Sequence, residues 1–313
     1  MNIMAFLVSA LGNMVFIYFL IPLLIKMKFG QNVYELAPES HQKKQGVPTI
    51  GGISFIIMTS LLGFIFLGFD AKHVLVIFSM ILFGLIGFID DALKVFKEEN
   101  KGLGAKEKLA LQILASLVIA YLLRNEAQRI LIPFTSTYWN LGFLYYPFVV
   151  LFMTALTNST NLTDGVDGLL TAVSFVVAFF FLWVAKDLFQ EELYRLTVIF
   201  LGALLGYLYY NRFPAKVIMG DTGSMAIGGF IGSMMLISST PLFIFFVGII
   251  YIAESLSVIL QVWSFQTRGV RIFKMSPIHH HFELSGWSEN KIVLSFAGIT
   301  FVGLLLALLA YRI

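Results

Sequence analysis

The sequence predicts an all-α, polytopic integral membrane protein with about ten transmembrane helices. Of its 313 residues, 58% are hydrophobic and 12% are charged, whereas about 25% of the residues in a soluble domain are charged. Apolar runs recur along the chain, and each is long enough to cross a hydrocarbon layer about 30 Å thick as a helix. These observations exclude an ordinary soluble protein. We expect a single membrane domain over residues 1–313.

Apolar length alone places the predicted helices. The first run lacks a preceding basic stretch and a small-residue cleavage site, and lysines follow it, so it is typical of a retained span rather than a signal peptide. The ten predicted spans are residues 2–25, 50–69, 73–90, 108–124, 143–160, 168–186, 195–211, 223–240, 241–265 and 291–311.

The distribution of basic residues predicts the orientation. With both termini outside the cytoplasm, 15 of the 21 Lys and Arg residues fall on the inward side. The positive-inside rule favours this arrangement. The formal net charge of +3 is too small to suggest nucleic-acid binding, and the absence of cysteine excludes disulfides and thiolate metal sites.

Polar residues that are unusual beside membrane spans are concentrated on the predicted cytoplasmic side. An ionisable group at membrane depth is costly, so a convergent set of such groups favours a functional site. The set consists of Asp90, Asp91, Asn158, Asn161, Asp164, Asp167, Asn211, Lys216, Asp221, His279, His280 and His281.

Asp90 and Asp91 are neighbours at the end of the third predicted span. Adjacent helical residues point about 100° apart, so the two carboxylates should not bind one ion in the same way. We expect divided roles, with one facing a metal ion and the other facing a substrate or Lys94. A solvated helix end is the alternative interpretation.

The segment TNSTNLTDGVDG, residues 157–168, precedes the sixth predicted span. Asn and Asp oxygens are hard ligands suited to Mg²⁺, and the N-terminus of the following helix favours an anionic ligand. Gly165 and Gly168 allow the backbone to turn closely beneath a bound group. Helix capping by Thr163 or Asp164 is the alternative, but a cap needs only one such residue.

Asp221 likewise lies just before a predicted span, the eighth. Glycines flank it at positions 220 and 223, and Lys216 could meet a phosphate as a point charge. Helix packing would explain the glycines but not Asp221.

The loop before the last predicted span contains three successive histidines among basic residues. Neighbouring His side chains diverge, and the loop has no Cys and no H-E-x-x-H pattern, so phosphate contact is favoured over zinc. Binding of anionic lipid is the alternative. The residues are Arg268, Arg271, Lys274, His279, His280 and His281.

Two further places carry polar residues. Lys43 and Lys44 precede the turn-forming sequence GVPTIGG, where anchoring at the inner membrane surface is the alternative to a substrate contact. Glu254 lies in the middle of the ninth predicted span and is assigned no chemistry, whereas Gln261 on the same span could reach the cytoplasmic cleft.

Five motifs resemble those of the phospho-N-acetylmuramoyl-pentapeptide-transferases, a branch of the polyprenyl-phosphate sugar-1-phosphate transferases. They occur in the family order, and the similarity runs from about residue 35 to the end of the chain. The loop PIHHHFE is the feature that looks specific to this branch. The motifs are KKQGVPTIGG, FIDDALK, NSTNLTDGVDGL, VIMGDTGSMAIGG and FKMSPIHHHFE.

This resemblance implies a Mg²⁺-dependent enzyme of the bacterial cytoplasmic membrane with its active site facing the cytoplasm. Such an enzyme transfers phospho-MurNAc-pentapeptide from UDP-MurNAc-pentapeptide to undecaprenyl phosphate, and the products are lipid I and UMP. Its partners are these two substrates, the lipid bilayer and, commonly, a second copy in a homodimer.

Carried over position by position, the resemblance also implies roles for individual residues. Asp221 becomes the principal Mg²⁺ ligand and a catalytic residue, with Asp90, Asp91 and His280 as further catalytic residues. Val47, Ile50 and Ile218 depart from the family pattern, and Ile218 replaces an aromatic residue that can stack on uracil. The implied substrate-binding residues are Lys44, Thr49, Asn161, Asp164, Asp167, Asn211, Gln261, His279, His280 and His281.

Phosphoryl transfer needs charge neutralisation and alignment more than covalent help. A phosphate monoester is largely dianionic at neutral pH, so a strong general base is not required. We expect Asp90 or Asp91 to position the lipid phosphate for a single displacement, while a two-step route through an aspartyl phosphate stays open.

Other functions predict other features. A related enzyme could use another UDP-N-acetylhexosamine with the same chemistry. A transporter or channel would carry inverted repeats and charged groups near the bilayer midplane, where only Glu254 clearly lies in the predicted spans. A structural scaffold would leave the acidic and histidine clusters unexplained.

Overall fold

Long helices packed side by side make up the computed structural model, which describes residues 2–27, 29–30, 46–96 and 102–312. Within these ranges, ten helices have at least 15 residues, and each overlaps one predicted span. The helices, including two short ones, are α1 (Asn2–Lys26), α2 (Ile53–Leu67), α3 (Ala71–Phe96), α4 (Ala105–Leu122), α5 (Tyr145–Thr163), α6 (Leu169–Asp187), α7 (Glu191–Asn211), α8 (Gly220–Ile237), α9 (Ile244–Val247), α10 (Ile249–Arg268), α11 (Ile278–Glu283) and α12 (Glu289–Arg312).

Seven candidate spans in the described part of the chain are long and apolar enough to cross a membrane, and they contain α1, α3, α5, α6, α7, α10 and α12. Helix α2 has only 15 residues, whereas α4 begins with charged residues and α8 with small and polar ones. The protein is therefore a polytopic α-helical membrane protein. The full count of ten spans and the outward position of both termini stay predictions.

The ninth predicted span, residues 241–265, is wrong as a single continuous helix. A 3₁₀ turn at Pro241–Phe243 and the short helix α9 come first, and α10 begins only after Gly248. The apolar composition runs through this break without change, so length and hydropathy alone could not reveal it.

A β-hairpin between α4 and α5 is a second departure from the predicted all-α fold. Strands β1 (Arg129–Leu131) and β2 (Tyr138–Asn140) pair in antiparallel fashion, with Ile130 opposite Trp139. Three-residue strands are too short to produce a recognisable alternating pattern in the sequence.

Helix α8 is surrounded by other helices, and every residue from Thr222 to Ile237 is buried. Helices α3 and α5 pack closely against it because glycines line the contacts. A Cβ atom on Gly229 would lie 2.7 Å from the carbonyl oxygen of Ser79, and one on Gly228 would lie 2.7 Å from Cα of Thr157. The Ser79 hydroxyl donates a hydrogen bond to the carbonyl of Gly229 over 2.9 Å.

Helices α3 and α8 run antiparallel. Ser79, in the first half of α3, contacts the middle of α8 at Gly229, whereas Asp91, near the end of α3, contacts the start of α8 at Thr222. The carboxyl end of α3 therefore lies beside the amino end of α8, and this pairing builds the candidate site.

Gly229→Ala is expected to destabilise the protein because the new methyl group would overlap the backbone of α3. Overpacking of this kind costs about 1–3 kcal/mol, which lowers the thermal unfolding temperature of the purified protein in detergent. The matched control is Gly298→Ala on α12, where a Cβ meets nothing within 4 Å. Equal unfolding temperatures for the two variants would contradict the close contact between α3 and α8.

Candidate active site

Three carboxylates meet where the end of α3 adjoins the start of α8. Oxygen atoms of Asp90, Asp91 and Asp221 all lie within 4.8 Å of one another. Gly87, one turn before Asp91, makes this approach possible, because a Cβ there would overlap the backbone carbonyl of Asp221. We call these three residues the acidic cluster. The structure thus brings together side chains that are 130 positions apart in the sequence.

Asp91 caps the N-terminus of α8 from a different helix. Its carboxylate accepts hydrogen bonds from the backbone N–H groups of Asp221 at 3.2 Å and Thr222 at 2.9 Å, and from the Thr222 hydroxyl at 2.7 Å. Helix N-termini carry free N–H groups and a partial positive charge, so a carboxylate is well suited to this position. Asp91 thereby fixes the position of the helix turn that carries Asp221.

Asp90 has different contacts from its neighbour. Its Oδ2 lies 2.6 Å from Nζ of Lys94, and its Oδ1 accepts a hydrogen bond from the backbone N–H of Leu103 over 2.8 Å. The neighbouring carboxylates therefore do have different contacts, although Lys94 lies near both, since its Nζ is also 3.7 Å from Oδ1 of Asp91. The predicted metal and substrate roles of the pair stay predictions.

Two lysines lie among the carboxylates. Nζ of Lys94 is 3.2 Å from Oδ2 of Asp221, and Nζ of Lys108 is 2.6 Å from the same oxygen and 3.9 Å from Asp90. Lys108 was not among the residues expected at the site from the sequence. The available signal was a lysine placed just inside an apolar helix on the inward side, where several polar groups were already expected.

Asn161 reaches the acidic cluster from the end of α5. Its amide nitrogen donates hydrogen bonds to Oδ1 of Asp221 and to the hydroxyl of Ser224, both over 2.9 Å. Asp221 is therefore held from opposite sides, by Asn161 at one oxygen and by lysines at the other. Asp164, half-buried, follows α5 at its C-terminal cap.

The chemistry of the acidic cluster fits a divalent cation. Carboxylate oxygens are the hard ligands that Mg²⁺ prefers, and three carboxylates with two ammonium groups leave one excess negative charge when all are ionised. Among the residues that the structure describes, this is the group of three acidic or His side chains that could hold a metal ion.

Asp167 lies in a second polar region, where the turn after α5 meets the loop after α7. Its Oδ2 accepts a hydrogen bond from the backbone N–H of Ala215 over 2.8 Å, and its own N–H donates to Oε2 of Glu289 over 3.0 Å. These residues border a cavity of about 370 Å³ that Phe213 and Trp287 also line. Asp167 therefore ties the turn after α5 to the loop between α7 and α8.

Asn211 and Thr49 support the segment that leads into α8. The buried side chain of Asn211 donates to the carbonyl of Val217 over 3.1 Å and accepts from the Thr171 hydroxyl over 3.0 Å. The half-buried Thr49 lies where a Cβ on Gly220 would be 3.0 Å from its hydroxyl. Lys44, the other predicted contact from this part of the chain, lies outside the described residues.

The three histidines of helix α11 have different surroundings. His279 is fully buried, whereas His280 and His281 are half-buried. His280 Nδ1 lies 2.7 Å from Oε2 of Glu283, and the backbone N–H of Lys274 donates to Nδ1 of His281 over 3.2 Å. His279 is shielded from solvent in this structure, and its expected substrate contact stays a prediction.

Gln261 holds the loop before α11. Its side-chain oxygen accepts hydrogen bonds from the N–H groups of Ile272 at 3.0 Å and Phe273 at 2.9 Å, and its amide donates to the Phe273 carbonyl over 2.9 Å. In this structure, Gln261 therefore contacts the loop backbone, and its predicted reach into the cleft stays a prediction.

The comparisons with known proteins match the part of the chain that builds this site. Residues 73–239, which include all of the acidic cluster, match the model of glycosyl transferase family 4. A phospho-N-acetylmuramoyl-pentapeptide-transferase of Clostridium novyi (strain NT) is 47% identical over 98% of this chain and 95% of its own length. The enzyme of the same name from Clostridium botulinum (strain Alaska E43 / Type E3) is 48% identical, over 90% of this chain and 88% of its own length.

A third relative comes from a different genus. The phospho-N-acetylmuramoyl-pentapeptide-transferase of Caldanaerobacter subterraneus subsp. tengcongensis is 46% identical over 91% of this chain and 91% of its own length. These matches cover nearly the whole chain, so they extend beyond the acidic cluster to the histidine-bearing helix α11. The chain belongs to the phospho-N-acetylmuramoyl-pentapeptide-transferases, within glycosyl transferase family 4.

Proposed function

We propose that this protein transfers phospho-MurNAc-pentapeptide from UDP-MurNAc-pentapeptide to undecaprenyl phosphate, releasing UMP and forming lipid I in bacterial peptidoglycan synthesis. The observation that carries the proposal is the acidic cluster with its two lysines at one end of an apolar helix bundle. Such a site allows a water-soluble diphosphate and a membrane-borne phosphate to meet. Family membership supports the identity of both substrates.

The protein is proposed to lie in the cytoplasmic membrane with this site on the cytoplasmic side. The excess of Lys and Arg in the inward segments supports that orientation. The homodimer implied by the family resemblance stays a prediction.

The residues of the site are proposed to divide the work of phosphoryl transfer. Asp221 and Asp90 would hold Mg²⁺, which as a Lewis acid neutralises charge on the diphosphate when bound. Asp91 keeps Asp221 in place through the N-terminus of α8. Lys94 and Lys108 lie against the same carboxylates, where each would act as a point charge on a phosphate oxygen of the substrates.

The reaction itself is a displacement at phosphorus. An oxygen of the lipid phosphate attacks the phosphorus atom that carries the sugar, and the bond from this phosphorus to the oxygen bridging to the nucleotide breaks. UMP leaves with that oxygen and its electron pair, and the lipid gains a diphosphate. The main task of the side chains is to align the lipid phosphate with the two phosphates of the donor and to screen the repulsion among these three groups.

An apolar cavity provides a path for the polyprenyl chain. It has a volume of about 260 Å³ and is lined almost entirely by apolar side chains of α5, α9 and α10. Its lining extends along α5 from Phe148 to Ser159, which is roughly 16 Å of helix. Ser159 lies near the C-terminal end of α5, the end that carries Asn161, so a prenyl chain lying in the cavity would run toward the end of the bundle that holds the acidic cluster.

Purified protein with Mg²⁺ is expected to convert UDP-MurNAc-pentapeptide and undecaprenyl phosphate into equal amounts of UMP and lipid I. The donor comparison uses UDP-GlcNAc under the same conditions, because a related enzyme for another hexosamine would prefer it. Release of UMP is measured by chromatography and lipid I by mass spectrometry. Turnover of UDP-GlcNAc in preference to the muramoyl donor would contradict the proposed substrate.

Asp221→Asn is expected to reduce UMP release by about 100-fold or more and to abolish its dependence on Mg²⁺, because the substitution removes the central negative charge. The overall fold should survive, since the amide has nearly the same shape. The measurement is initial rate against Mg²⁺ concentration, with thermal unfolding recorded in parallel. Asp187→Asn is the control, because this exposed carboxylate at the end of α6 accepts a hydrogen bond from Tyr311. Normal turnover by Asp221→Asn would remove this residue from the metal site.

Ala155→Phe is expected to raise the KM for undecaprenyl phosphate roughly tenfold, equivalent to about 1.4 kcal/mol, because the ring would fill the apolar cavity. The KM for the UDP-linked donor should not change. Ala71→Phe places the same ring on an exposed position at the start of α3 and serves as the control. An unchanged acceptor KM in Ala155→Phe would place the polyprenyl chain elsewhere.

A further inference from the structure

Glu254 and His279 form a buried pair outside the acidic cluster. Both residues are 0% exposed. Oε2 of Glu254 lies 3.1 Å from Nδ1 of His279 and 3.4 Å from the backbone nitrogen of the same residue. A buried carboxylate without such partners is strongly unfavourable. The carboxylate on α10 is thus directed at the beginning of α11.

The other side of the His279 ring packs on the turn after α5. A Cβ atom on Gly165 would overlap Nε2 and Cε1 of this imidazole. The ring is therefore held between the carboxylate of Glu254 and the backbone at Gly165. Through this one side chain, α10 and α11 are connected to the turn that carries Asp164 and Asp167.

Stability alone does not account for a charged group in this position. Replacing a buried ion pair by well-packed apolar side chains of similar volume often leaves a protein equally stable or more stable. The Glu254 carboxylate adds direction, because it accepts a hydrogen bond from the backbone N–H of His279 over 3.4 Å and so fixes the entry of α11. Its neighbour His280 is held separately, through Glu283 on the same short helix.

We infer that Glu254 is a positioning residue: its carboxylate accepts a hydrogen bond from the backbone N–H of His279 and lies 3.1 Å from the imidazole Nδ1, and it thereby sets the spacing between α11 and the turn at residues 164–168. His279 then acts through the structure and not by touching substrate. The inference rests on the proposed function, because the family resemblance implies substrate binding by Asp164 and Asp167 on this turn, and we assign that contact to the sugar-nucleotide donor. A shift of the turn changes donor binding and leaves acceptor binding intact.

The first test is Glu254→Leu, which removes the acceptor oxygens and fills a similar volume. The expected result is a donor KM raised about tenfold with an unchanged KM for undecaprenyl phosphate. Glu254→Gln keeps one acceptor oxygen and is expected to recover the wild-type donor KM. The control is Ser257→Ala on the same helix, which removes a buried hydroxyl bound to the Glu254 carbonyl and should leave both KM values unchanged.

The second test does not touch the carboxylate. Gly165→Ala pushes a methyl group toward the His279 ring and is expected to raise the donor KM in the same way, whereas Gly298→Ala, made in open space, should not. Combining Glu254→Leu with His279→Ala should give the donor KM of His279→Ala alone, since the two residues act as a unit. This variant set gives an answer even if one member fails to fold.

Three results would overturn the inference. One is a wild-type donor KM in both Glu254→Leu and Gly165→Ala. Another is a lowered unfolding temperature and a smaller active fraction with both KM values unchanged, which is the behaviour of a purely structural pair. The third is a Glu254→Gln variant as impaired as Glu254→Leu. Absence of UMP release by the wild-type protein would instead contradict the proposed function itself.

Discussion

The capping of α8 by Asp91 is the interaction on which the rest of the site depends. The carboxylate at the end of α3 satisfies the first N–H groups of α8 and the hydroxyl of Thr222. These bonds place Asp221 beside Asp90 and within reach of the two lysines. Without Asp91, buried N–H groups at the start of α8 would lose their partners, which is unfavourable wherever water is excluded. The position of the proposed metal ligand is therefore a consequence of helix capping.

Glycine packing makes this capping possible. A side chain at Gly87 would overlap the backbone carbonyl of Asp221, and side chains at Gly228 and Gly229 would separate α8 from its neighbours. In a membrane, helices gain little from burying apolar surface against each other, so close backbone contact has to hold them together. The site is thus built where the backbones of α3 and α8 approach closely, which keeps the charged groups in register.

The sequence was sufficient to predict most of the helices and the convergence of Asp90, Asp91 and Asp221 with Asn161, but not their contacts. Apolar length identified the helices because each span must satisfy its backbone internally. The length of the apolar runs does not reveal the break at Gly248 or the hairpin that begins with Arg129–Leu131. The cap on α8 joins residues 130 positions apart, and Lys108 was known only as one more inward lysine. Contacts of that kind depend on how helices pack, which a single sequence does not reveal.

Glu254 illustrates how the same limit conceals a role. In the sequence it was a lone acid in the middle of an apolar span, and no chemistry could be assigned to it. The structure gives it a partner on a helix of only six residues, α11, which is too short to be stable by itself. Such a helix depends on side-chain contacts for its position, whereas α3 and α8 are fixed by continuous backbone packing. A carboxylate buried in the bundle can therefore orient the polar surface above it, because it connects the closely packed helices to the part of the protein that is proposed to meet the substrate.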